Sequence, residues 1–185
     1  MSTNNAVNTS LSGQTGTGNF VGANSPALIT PTLGAATATS LTFSPTTGGI
    51  VGTTTNDNAT AGDVGQFVSS VIASASPVSL TTATAKDMTS ISLTAGDWDV
   101  WGNIYYIIGG ACTAIVGWIS STSATEPDVS LLTLYEAAAV TSQGFCVPGL
   151  RFSLSGTTSI YISAQANFST STVTVCGGIY ARRRR

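Results

Sequence analysis

Histidine is missing from this 185-residue chain. Its absence removes the commonest general base and metal ligand, and with them any Ser-His-Asp or Cys-His triad. Charge is scarce too: acidic and basic residues make up 8% of the chain, against roughly 25% in ordinary soluble proteins. A Thr-, Ser- and Ala-rich surface with so little charge suits a free monomer poorly, because charge is what opposes self-association. The composition predicts that much of the surface is buried between identical chains. No run of about eighteen apolar residues occurs, which excludes a helical membrane span. Met1-Ser2-Thr3-Asn4-Asn5 offers neither the basic nor the apolar region of a secretory signal. The cysteines, Cys112, Cys146 and Cys176, are odd in number and without CxxC spacing. They read as structural thiols of a protein made in a reducing cytosol, with no disulfide framework and no zinc site.

What is present divides in two. Up to residue 62 the only charged residue is Asp57, and the composition is dominated by Thr, Ser, Gly, Ala and Asn. This stretch has no helical apolar period and too few large side chains for a core of its own. Pro26, Pro31 and Pro45 each follow Ser or Thr, which biases the backbone toward extended conformations. Residues 1–64 are therefore expected to form an extended arm or shaft. Either it orders against copies of itself or a partner, or it is a disordered tail.

From Gly65 onward the spacing is that of short strands separated by polar turns. Strands are expected at 67–72 and near 78–83, 89–94, 97–108, 113–120, 131–135, 149–155, 158–168 and 171–181. Turns are expected at Ala95-Gly96-Asp97, Gly109-Gly110, Glu126-Pro127-Asp128, Pro148-Gly149 and Ser155-Gly156. A short helix competes only over 131–140. The pattern predicts an all-β antiparallel sandwich or jelly roll over residues 65–185. Side chains alternate sides along a strand. Trp98, Val100, Gly102, Ile104, Tyr106 and Ile108 thus form one inward row, and Ile160, Ile162, Ala164, Ala166 and Phe168 another. Tyr161, Gln165 and Asn167 face outward. The opposite row of 97–108 carries Trp101, Tyr105 and Ile107, so this strand requires cover on both faces.

Gly16-Thr17-Gly18-Asn19-Phe20-Val21, Ser25-Pro26-Ala27-Leu28-Ile29-Thr30-Pro31-Thr32-Leu33-Gly34 and Ala38-Thr39-Ser40-Leu41-Thr42-Phe43 together resemble a module of bacteriophage fibre proteins. Ile91-Ser92-Leu93-Thr94-Ala95-Gly96-Asp97-Trp98-Asp99-Val100-Trp101-Gly102-Asn103 resembles a motif of phage-fibre C-terminal domains. The chain is shorter than many such fibres. The resemblance implies a virion structural protein, made in the bacterial host cytoplasm and assembled as a homotrimer. Its arm would join other virion proteins (a tail adaptor or nozzle, or the capsid), with Asn19, Phe20, Val21, Leu28, Ile29 and Leu33 as anchoring candidates. Its C-terminal module would contact a bacterial surface glycan or protein. A tail fibre is expected, with a head fibre or capsid-decorating protein as the alternative. Aromatic residues concentrate at interface centres, so Trp101, Tyr105, Tyr161 and Tyr180 are candidates for contacts around a threefold axis. By analogy, trimeric jelly rolls of the tumour-necrosis-factor and C1q type have such seams.

Candidates for chemistry are few, and the expectation is a non-enzyme with no cofactor, no catalytic residue and no metal site. Asp97 and Asp99 lie two apart on one strand, roughly 6.5–7 Å between Cα atoms, within the span glycoside hydrolysis uses. Two acids at a strand start are more often a solvated edge. A hard cation at Asp97/Asp99 or Glu126/Asp128 has too few carboxylates behind it. Arg182-Arg183-Arg184-Arg185 has three readings: capture of a phosphate or carboxylate, docking onto an acidic virion protein, or a solvated tail. No aromatic or further basic residues accompany it, so nucleic acid is not expected. A jelly roll of the trimeric type would set this cluster beside the arm, leaving the loops at the far end for receptor contact.

Overall fold

A computed structural model describes residues 54–135, 141–169 and 172–185. The described residues all belong to one compact unit, Thr53–Arg185. The anchoring candidates Asn19, Phe20, Val21, Leu28, Ile29 and Leu33 lie outside them.

The strands in chain order are β1 Phe67–Ile72, β2 Val78–Ser79, β3 Lys86–Leu93, β4 Gly96–Ile108, β5 Cys112–Ser120, β6 Thr133–Tyr135, β7 Ser142–Leu154, β8 Thr158–Phe168 and β9 Val173–Arg183. A single 3-10 turn, Val129–Leu131, precedes β6. Every pairing is antiparallel. One sheet runs β1-β9-β4-β7, with β2 also on β9 (sheet A), and the other runs β3-β8-β5-β6 (sheet B). The connections β3 to β4, β4 to β5, β7 to β8 and β8 to β9 each cross between the sheets, so the fold is an antiparallel β-sandwich.

The core lies where the two inward rows meet. Trp98, Val100, Ile104, Tyr106 and Ile108 from β4 face Ile160, Ile162, Ala164 and Ala166 from β8, all buried. These are the rows that alternation predicts, and β-branched side chains fill them because they fit a pleated, covered surface. Burying the Tyr106 hydroxyl requires a partner. It donates to the Val116 carbonyl at 2.6 Å, and burial pushes its pKa up.

Two sequence expectations are corrected. Pro148-Gly149 is not a turn: β7 runs unbroken from Ser142 to Leu154. Val147 pairs with Gly102 and Leu150 with Val100, so two residues of β7 oppose Trp101 alone. This is a β-bulge on an edge strand, where a proline without an N–H is tolerated. Over 131–135 no helix wins: only the 3-10 turn and β6 form there, while 136–140 lie outside the described residues.

Candidate functional site

Sheet A turns its second row outward. On β4 that row holds Trp101, Tyr105 and Ile107, which remain 37%, 42% and 36% exposed, with Val71 of β1 at 58%. Strand pairing sets Trp101 beside Tyr180 of β9 and Tyr105 beside Cys176. The Trp101 and Tyr180 rings stack at 6.1 Å between centroids, and Phe67 of β1 stacks on Tyr180 at 6.2 Å. Phe67 and Trp101 close the triangle, also at 6.2 Å. Gly178 leaves the space over which Tyr180 lies; a Cβ there would stand 2.7 Å from the Tyr180 hydroxyl. The result is a cluster of mutually contacting aromatic rings on an open sheet face. An antiparallel sheet with one face on the core ordinarily presents a polar second face.

Tyr161 is not part of it. It pairs with Ser90 and Ser120 on the outward row of sheet B, across the sandwich from Trp101, Tyr105 and Tyr180. Sheet B also has its own cover. The Asp87 carboxylate on β3 accepts from Ser163 Oγ at 2.7 Å, Ser123 Oγ at 2.5 Å and the Ala124 N–H at 2.7 Å. The loop after β5 therefore passes over β8 to reach β3. Beneath it, Ser163 and Trp118 are fully buried although both stand on outward rows.

The arginines form a second site at the end of sheet A where the chain enters the sandwich. Arg183 is no part of a tail: it is the last residue of β9, 5% exposed. Its guanidinium donates to Gln66 Oε1 at 3.1 Å, the Ala95 carbonyl at 2.8 Å and Thr94 Oγ1 at 2.5 Å. It lies 4.3 Å above the Trp98 ring, and the Trp98 indole donates to the Thr94 carbonyl. Hydrogen bonds and a ring face thus replace the water this charge loses.

Asp97 gathers two more cations. Arg151 donates to it bidentately, Nε to Oδ1 at 2.7 Å and Nη2 to Oδ2 at 2.8 Å, while Arg185 Nε stands 3.1 Å from Oδ2. Arg184 pairs with Asp99 at 3.3 Å. The hydrogen bonds from Arg151 hold the Asp97 carboxyl below its ordinary range, with the charges of Arg151, Arg185 and Arg184 adding to the effect. A glycosidase general acid needs the opposite shift; here the Asp97 carboxylate ties Arg151 and Arg185 to the start of β4. Asp128 is likewise committed, capping the 3-10 turn through the Ser130 N–H. Among the described residues no group of three or more His, Cys, Asp or Glu could hold a metal ion.

The cluster also lies beside the entering chain. The Gly65 N–H donates to the Arg183 carbonyl and the Arg183 N–H to the Gln66 carbonyl. Asn58 brackets both backbone groups of Phe67 through its amide.

Fold and site together define a class: an all-β antiparallel sandwich with one self-covered sheet, one open aromatic sheet face and an arginine-rich end. No family model matches the sequence, and no curated protein matches it. A chain in the structure of infectious bursal disease virus, Gx strain, is similar at 12% identity and a TM-score of 0.42. The match covers 66% of this chain and 33% of that one, so the chain spans about a third of its length. A likeness at that level carries no argument about function.

Proposed function

We propose that this chain is the subunit of a homotrimeric virion fibre of the bacteriophage type. Its arm, residues 1–64, attaches to the particle and its sandwich contacts the bacterial surface. The observation that carries the reading is the open face of sheet A. Phe67, Trp101 and Tyr180 are stacked into a fixed platform flanked by Tyr105 and Ile107, the composition of an interface centre. Two further points support it. The strand order 1-9-4-7 facing 3-8-5-6 is the connectivity of a two-sheet jelly roll, the architecture of the tumour-necrosis-factor and C1q trimers. The sequence also resembles phage-fibre modules in both halves. Three copies presented together multiply weak contacts with a host glycan or protein into useful avidity.

Sedimentation at micromolar concentration tests the assembly. Three chain masses are expected for the parent and one for Trp101→Glu; a monomeric parent removes the proposal. Attachment is tested separately with purified protein. Binding to host cells with inhibition of infection supports the adsorption role. Binding to capsids alone assigns the chain to the head fibres or decorating proteins.

A further inference from the structure

All five arginines of the chain converge on one end of the sandwich, against only Asp97 and Asp99. The site is net +3, while the remainder, Lys86 against six acids, is −5. Internal pairing does not exhaust this charge. Arg151 spends Nε and Nη2 on Asp97, leaving Nη1. Arg184 and Arg185 each engage through Nε and are 59% and 76% exposed. Arg182 is exposed and has no carboxylate partner among the described residues.

Beside the Asp97 clasp lies a cleft of about 370 Å³, within the usual range of ligand sites. Arg151 stands in its wall with Ile119, Pro127, Leu131, Leu150 and Phe152. A mainly apolar cleft, with Ser120, Ser121 and a planar, multiply donating guanidinium also in its wall, suits a carboxylate adjoining a large apolar side chain. A simple polyanion would leave the apolar walls unused. The cleft and the arginines are at the end where residues 54–66 lead into β1.

We propose that this cleft and its arginine rim bind an acidic-apolar peptide segment of a partner protein. Carboxylates of the segment sit on Arg151 and Arg185, and an adjacent apolar side chain fills the cleft between Leu131 and Phe152. The partner's being a virion protein rests on the fibre reading; the chemistry of the site does not.

The full-length chain is titrated by fluorescence anisotropy with labelled Phe-Glu-Leu-Glu and with its glutamine counterpart Phe-Gln-Leu-Gln. The glutamate peptide should bind at least about tenfold tighter, and raising salt several-fold should weaken it. Leu131→Glu, at an exposed position, and Arg185→Gln, on a mostly exposed side chain, should each weaken it about tenfold while moving Tm by no more than a few degrees. Equal affinity for both peptides, no binding of either, or a Leu131→Glu variant that binds as the parent does overturns the proposal. Preference for heparin over the peptide, unaffected by Leu131→Glu, also overturns it and gives the rim to an acidic glycan. A trimer that fails to bind the peptide removes this inference and leaves the fibre reading; a monomer that binds it does the reverse.

Discussion

Replacing Gly177 by alanine should be among the most damaging single-methyl changes in the sandwich. Gly177 sits within β9 at φ +137°, a backbone conformation that L side chains rarely adopt. Its missing Cβ would stand 2.2 Å from the Asn103 carbonyl oxygen and 3.2 Å from Ile104 Cα, both backbone atoms of β4. Neither atom yields unless the β4–β9 pairing opens, because Gly177 is register partner to Ile104 and Asn103 to Gly178. The unfavourable φ costs about 1–3 kcal/mol and the overlap about 1–3 kcal/mol more. For a unit of about 130 residues, each 1 kcal/mol shifts Tm by roughly 3–5 °C, between the values for smaller and larger domains. A fall of roughly 6–30 °C is expected by circular dichroism melting. Two other glycines separate the causes. Gly62 has φ +100° with open space around its Cβ position, and Gly156 has open space and no such φ. Gly62→Ala should therefore lose only the strain term, and Gly156→Ala should stay within about 0.5 kcal/mol of the parent. If Gly177→Ala melts within 3 °C of Gly156→Ala, β4 does not approach Gly177 this closely.

Other expectations concern the clasp and the tryptophans. The folded-state pKa of Asp97 is depressed by Arg151, so its stabilisation is complete above the unfolded carboxylate value near ~3.9 and fades as pH falls toward the folded one. Melting from pH 6 to pH 2 should show Asp97→Asn well below the parent at the upper end and converging on it at the lower; a constant gap contradicts the assignment. Trp98→Phe loses the indole bond to Thr94 and part of the ring under Arg183, so denaturant titration should show a loss of about 2 kcal/mol. Trp118→Phe should cost markedly less, because its buried indole N–H has no partner among the described residues and removing an unsatisfied donor recovers about 1–3 kcal/mol; equal losses for the two would refute the contrast.

Alternation carried much of the fold because it is a local property. The inward rows of β4 and β8 follow from period two alone, and both are found buried except for Phe168 at the end of β8, which is only partly so. Period two gives a residue's face relative to its own sheet and says nothing of which sheet that is. Tyr161 was expected outward and is on an outward row, yet distant strand pairings put it on sheet B, away from Trp101, Tyr105 and Tyr180. Pro148-Gly149 has turn chemistry, but whether such a pair ends a strand or bulges an edge depends on the partner strand, which local sequence does not contain. The arginine run was open to three readings, among them a tail, because charge runs are usually solvated. The signal against a tail was there: Ile179, Ala181 and Arg183 continue one inward row of β9, and all three are buried.

The two outer faces of this sandwich are treated differently, and the difference bears on assembly more directly than the aromatic content does. On sheet B the chain uses a carboxylate and a loop as cover: Asp87 accepts three hydrogen bonds, one from Ser163 of β8 and two that draw residues 123 and 124 across that strand. On the same sheet an outward tryptophan, Trp118, is buried beside Ser163 without any partner chain. On sheet A, among the described residues, Trp101, Tyr105 and Ile107 have no comparable lid and remain more than a third exposed. A chain that closes one apolar face with its own loop and leaves the other as a stacked, rigid platform already holds the side-chain order an interface needs. Ordering is a large part of what association costs, so Phe67, Trp101 and Tyr180, stacked beforehand, give up little further freedom on docking. The same reasoning explains why scarce charge is tolerable here. Arg182 and Asp99 bound the platform at its entering end, and the aromatic centre carries no charge that docking would have to desolvate.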